Sequence, residues 1–86
     1  MTKKEFEQKQ TDLQKLVGQW EIVINAEVLS DFAIGCFYDE KTQCWKVYIN
    51  NERGRHRIRL ETKDEGEAFE ELFSMINYEI ENNKYI

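Results

Sequence analysis

The strongest constraint in this 86-residue sequence is a change of hydrophobic period. Trp20, Ile22, Ile24, Ala26 and Val28 alternate with Glu21, Val23, Asn25 and Glu27, the period of two that a half-buried strand imposes. Three more strand-like segments follow at turn-length gaps. Phe32 to Tyr38 is apolar on both parities, with Gly35 inside it marking a bulge or a close approach by another element. Cys44 to Asn50 and Arg55 to Leu60 are separated by Asn51-Glu52-Arg53-Gly54, a hairpin loop in which Gly54 suits a positive φ. If Asn50 faces Arg55, then Ile49 meets His56, Val47 meets Ile58 and Trp45 meets Leu60. The other face then carries Tyr48 with Arg57 and Lys46 with Arg59, so aliphatic and charged pairs separate cleanly. The preceding turn, Asp39 to Gln43, leaves open whether Cys36 or Phe37 points inward.

On either side of these strands the period is that of a helix. From Thr2 to Val17 the chain is rich in Lys, Glu, Gln and Leu, with Thr2 and Glu5 spaced as a capping box and Gly18 as a stop. Phe6, Leu13, Leu16 and Val17 share one sector of this helix. The second helix is read from a further capping box, Thr62-Lys63-Asp64-Glu65, and its stripe is Phe69, Leu72, Phe73, Ile76 and Ile80. The expected fold is therefore α+β: an N-terminal helix, a four-stranded antiparallel meander sheet, and a longer C-terminal helix packed on one sheet face. Residues 1–86 form a single domain, with 82–86 read as a frayed tail.

A chain of this length buries only about 60–65% of its unfolded surface, which leaves little volume for a deep catalytic cleft. No apolar run is long enough to span a bilayer. Met1 leads into a mostly polar stretch rather than an apolar leader, so a cytoplasmic protein is expected. Cys36 and Cys44 are then expected to be reduced and inert. With His56 as the one imidazole and no CxxC or HxxxH spacing, neither a metal nor another cofactor is expected. His56 is read as a core-facing residue beside Ile49. The four glycines are isolated, so no phosphate-binding loop is present, and no nucleophile stands beside a base. An enzyme is not expected.

The net charge of −5 conceals a segmentation: residues 1–19 carry +1, 20–43 carry −4, 44–60 carry +4 and 61–86 carry −6. Opposite the apolar stripe of the second helix stand Glu67, Glu70, Glu71, Ser74, Tyr78 and Glu81. A tyrosine ringed by carboxylates suits a protein partner with a positively charged surface, the ring as anchor and the acids as steering charges. The last hairpin supplies the alternative, an anion-binding face of Lys46, Tyr48, Arg55, Arg57 and Arg59, which could hold phosphates and stack a base. The acidic overall balance argues against a general nucleic-acid binder. A homodimer through the open sheet face is a third reading, and no membrane partner is expected.

The string Ile34-Gly35-Cys36-Phe37-Tyr38-Asp39-Glu40, followed by Trp45-Lys46-Val47-Tyr48, Glu52-Arg53-Gly54 and Glu65-Gly66-Glu67-Ala68-Phe69, resembles the immunity protein 59 family of bacterial polymorphic toxin systems. The resemblance spans Phe32 to Phe73. It implies a cytosolic antitoxin that binds and blocks a cognate toxin. Many such toxins are nucleases with basic clefts, which an acidic helix bearing an exposed tyrosine would occlude. On this reading the contact residues are those of the second helix, with Glu52 and Arg53 of the hairpin loop as a second contact; the alternative function is a small nucleic-acid-binding or regulatory protein.

Overall fold

A computed structural model describes residues 1–51 and 55–83. The elements follow in the order α1 (Lys3–Leu16), β1 (Glu21–Ile24), β2 (Ala33–Asp39), β3 (Cys44–Asn50), β4 (His56–Thr62) and α2 (Glu65–Asn83). The architecture is α+β with a four-stranded sheet in the order β1-β2-β3-β4. Thr2 caps α1 as its spacing predicts: its hydroxyl accepts from the Glu5 N–H, and the Glu5 carboxylate returns to the Thr2 backbone. Gly18 follows the helix at φ 64°, the left-handed conformation that glycine adopts without penalty.

Both helices cover one face of the sheet. Phe6, Leu13 and Val17 from the α1 end of the chain meet Ala68, Phe69, Leu72, Met75 and Ile76 of α2 over Ile22, Ile34, Cys36, Val47 and Ile49. The Phe69 ring holds the layers together, 5.7 Å from Phe6 and 5.4 Å from Trp45 between centroids. Leu16, expected in the α1 stripe, is 56% exposed. The turn before β3 settles the inward parity. Asp39 pairs with Cys44, leaving Glu40–Gln43 as the loop, with Gln43 at φ 56°. Cys36 is thereby buried and Cys44 lies on the opposite parity, so the two free thiols sit on different faces. Burial in the apolar layer pushes the Cys36 thiol up to about 12, which keeps it protonated and unreactive at neutral pH.

The meander is corrected at its start. β1 runs parallel to β2, with Glu21 opposite Ala33 and Ile24 opposite Cys36, so the sheet is mixed. The alternation up to Val28 misleads because the strand stops at Ile24, and Asn25 turns the chain at φ 68°. Residues 25–32 then cross the sheet face away from the helices before re-entering beside β1. Side chains of β3 catch this strap. The Tyr48 hydroxyl donates to the Ala26 carbonyl at 2.8 Å and accepts from the Val28 N–H at 3.3 Å. The buried Asn50 amide donates to the carbonyls of Val28 and Ser30 at 2.7 and 2.9 Å. Gly35 permits the arrangement, because the Tyr48 ring lies where a Cβ on residue 35 would project. The close approach expected at Gly35 is therefore that of a tyrosine from the neighbouring strand.

The register of the last hairpin also differs from expectation. Asn50 pairs with His56, Ile49 with Arg57 and Tyr48 with Ile58, then Val47 with Leu60. Arg59 is the additional residue of a β-bulge, and this single insertion changes which residues share a face. Ile58, expected in the core opposite Val47, is 43% exposed beside Tyr48. His56 leaves the core side altogether. Its ring lies tilted against Tyr48 with centroids 5.1 Å apart, Nδ1 faces the Asn50 side-chain oxygen, and Nε2 lies 2.8 Å from the Glu27 carboxylate. Thr62 ends β4 instead of capping α2. The cap is Asp64, whose carboxylate accepts from the N–H groups of Gly66 and Glu67 at 2.9 and 3.3 Å.

Candidate functional site: a groove between the last helix and the last strand

An open groove of about 320 Å³ runs between the second half of α2 and the β3–β4 ladder. Its lining is Ile49 and Met75 at the floor, Glu71, Ser74, Tyr78 and Glu79 along the helix, and Arg59 from the strand. The helix residues are there because they follow at i, i+3, i+4, i+7 and i+8 from Glu71, which sets them along one side of α2. Arg59 is there because of the bulge. Arg57 pairs with Ile49 and so shares its side of the sheet, Arg59 follows two residues on, and the bulge lets Arg59 stand on that side although Leu60, the next residue, also faces Val47. The acidic helix and the arginine-bearing strand, expected on separate surfaces, meet along this groove.

Tyr78 stands on the rim at 65% exposure, the exposed aromatic that the helical stripe predicts. Glu71 is half-buried and Ser74 is exposed beside it. Glu79 is further in. Burial pushes its carboxyl up from the ordinary 4.5, a shift partly opposed by a hydrogen bond from Trp20. Arg55, Arg57 and Arg59 are exposed, and among the described residues none of the three makes an ion pair. The groove therefore offers a cation on one wall and carboxylates on the other, with an aromatic ring between them and solvent.

The remaining expected contact residues disperse. Glu67 and Glu70 lie on exposed positions nearer the start of α2, where Glu70 accepts from the Met1 ammonium at 3.3 Å. Glu81 is exposed one turn beyond the groove. Glu52 and Arg53 fall outside the described residues. The alternative anion-binding face is dismantled by packing. Tyr48 is fully buried with its hydroxyl engaged on the strap, and burial pushes its ionisation up, so it cannot stack a base. Lys46 lies 2.8 Å from Asp39, which holds the ammonium up and is itself held below the usual carboxylate range. Of that face, Arg55, Arg57 and Arg59 remain exposed.

Sequence reasoning missed the clamp made by Glu27, Tyr48, Asn50 and His56. Asn50 carried the available signal: a lone amide at the inner end of an apolar strand needs partners when buried. The clamp holds the strap to β3 and β4, and the described residues place no serine, threonine or cysteine nucleophile on its histidine. Among the described residues there is no group of three His, Cys, Asp or Glu side chains able to hold a metal ion, and no helix long and apolar enough to cross a membrane. Comparisons with protein-family models, with curated proteins and with solved structures return no match to this chain.

Proposed function

We propose that this protein is a non-enzymatic immunity protein that binds a cognate bacterial toxin and blocks it by steric and electrostatic occlusion. The observation that carries the reading is Tyr78: a 65% exposed aromatic ring at the rim of an open groove whose walls are charged. Exposed tyrosines beside partly desolvated charges are the anchors around which protein interfaces concentrate their binding energy. The carboxylates of Glu67, Glu70, Glu71 and Glu81 give the helix surface a negative field, which steers a partner with a positively charged surface such as a nuclease cleft. Arg59 adds the requirement for one carboxylate or carbonyl in the partner.

Binding of the toxin encoded by the neighbouring open reading frame tests this. Tyr78→Ala should weaken the complex by about 30-fold, the equivalent of the ~2 kcal/mol typical of an anchor residue. Glu71→Ala should slow association and reduce its salt dependence. Both variants should keep the parent melting temperature, since neither side chain is in the core. Unchanged affinity in both removes α2 from the interface.

The nucleic-acid reading retains its three arginines but loses Tyr48, the ring it would stack on, to burial. Titration with single-stranded RNA at about 50 and about 200 mM salt separates the readings, because phosphate-driven affinity falls steeply over that range.

A further inference from the structure

The two edges of the sheet are treated differently, and the difference points to a second contact surface. β1 is one edge. Its outward backbone groups at Trp20 and Ile22 are closed by α1, whose Gln14 amide accepts from the Ile22 N–H at 2.9 Å and donates to the Trp20 carbonyl at 2.7 Å. Gln10 donates to the Ile22 carbonyl at 3.4 Å. The two glutamines stand in for a neighbouring strand. At the other edge, no described strand or side chain bonds the outer side of β4. The Asn51 N–H donates to the Arg55 carbonyl at 2.9 Å, so the alternation of the antiparallel ladder turns the Arg57 backbone toward β3 and the amide groups of His56 and Ile58 outward. Both sit at the uncapped edge.

We infer that this edge of β4 accepts an extended acidic segment of a partner protein, which adds to the sheet as a further strand. Two features select the occupant. Arg55 and Arg57 project on the helix side of β4 without ion pairs among the described residues, and they repel a basic strand while attracting carboxylates. On the opposite side Ile58 is 43% exposed and has room for an apolar neighbour. The fitting segment therefore alternates, with Asp or Glu on the arginine side and β-branched residues beside Ile58. A second copy of this chain does not fit, because antiparallel pairing of β4 with itself would set these arginines against one another. Main-chain hydrogen bonds supply the affinity and the arginines the selectivity.

The test uses the full chain and a capped peptide of alternating glutamate and valine, with no toxin, so that its failure leaves the Tyr78 groove standing and failure at Tyr78 leaves this edge standing. Isotope-labelled protein is titrated and backbone amide exchange is followed. The expected result is slowed exchange at His56 and Ile58 together with shifts confined to β4 and its neighbours. The double variant Arg55→Glu, Arg57→Glu should weaken the peptide at least about tenfold, as loss of two opposed charge pairs does. The same peptide N-methylated at alternate amides on its pairing edge should not bind. Equal binding of the methylated peptide overturns strand addition, as does protection appearing at the groove rather than β4, or no binding of the parent peptide at millimolar concentration. Tighter binding of a single-stranded oligonucleotide with the same arginine dependence overturns it in favour of a phosphate ligand.

Discussion

Gly35→Ala tests the packing on which the fold turns. A Cβ at position 35 would lie 2.7 Å from Cε1 of Tyr48 and closer still to its Cζ and hydroxyl oxygen. The ring has no free direction in which to retreat. It is fully buried between Phe37 and His56, with centroids 5.9 and 5.1 Å away, and its hydroxyl is bonded to Ala26 and Val28 of the strap. Overpacking of this kind costs about 1–3 kcal/mol. Loosening the hydroxyl's bonds adds about 1 kcal/mol. The lower entropy of an alanine-bearing unfolded chain returns about 0.4–1 kcal/mol. The net expectation is a loss of about 2 kcal/mol, or about 8–16 °C in melting temperature for a domain of this size. Urea denaturation should show a lower midpoint with an unchanged slope, and hydrogen exchange at Val28 should accelerate. The decisive comparison is a double-mutant cycle with Tyr48→Leu, which removes the atoms that clash. In that background Gly35→Ala should be neutral or stabilising, a coupling of about 2 kcal/mol. A loss of less than about 0.5 kcal/mol in the parent, or an equal loss in both backgrounds, refutes the reasoning, since overpacking against the ring predicts neither.

Two further outcomes follow from the same contacts. Gln14→Ala leaves the Ile22 N–H and the Trp20 carbonyl without their side-chain partner; it should cost about 1–2 kcal/mol in urea denaturation and produce concentration-dependent sedimentation as the β1 edge opens. Glu79→Gln keeps an oxygen for Trp20 but removes the partly buried charge. Because burial raises the folded-state value above the ordinary 4.5, the stability this carboxyl contributes is present below that pH and lost as pH rises through the folded-state value. Melting temperatures of variant and parent should therefore coincide in acid and diverge above it, with the variant higher; a parent at least as stable at neutral pH would contradict the desolvation of Glu79.

The clamp and the groove share a strand. Asn50 and His56 hold the strap on one face of the β3–β4 ladder, while Ile49 and Arg59 line the groove on the other. Ordering of the strap thus fixes the register that delivers Arg59 to its wall. Mutations in the clamp are expected to act on partner binding through this register rather than through contact.

By itself the sequence determined the local elements. The Thr2–Glu5 cap, the stop at Gly18 and the buried stripe of Phe69, Leu72 and Ile76 all follow from contacts within a few residues, where spacing alone decides who meets whom. The exposure of Tyr78 followed from the same helical geometry. Strand alternation reports which face a residue occupies, but neither the direction of the neighbouring strand nor an inserted residue. Those were tertiary decisions. β1 lies parallel to β2 because residues 25–32 cross the sheet and are caught by Tyr48 and Asn50, side chains at least 20 positions away. The arginines change sides because the bulge at Arg59 lets Leu60 stay in the core opposite Val47 while His56 reaches Asn50 and Glu27. One extra residue inverts parity, and the free energy that selects it comes from contacts between segments that no local pattern brings together.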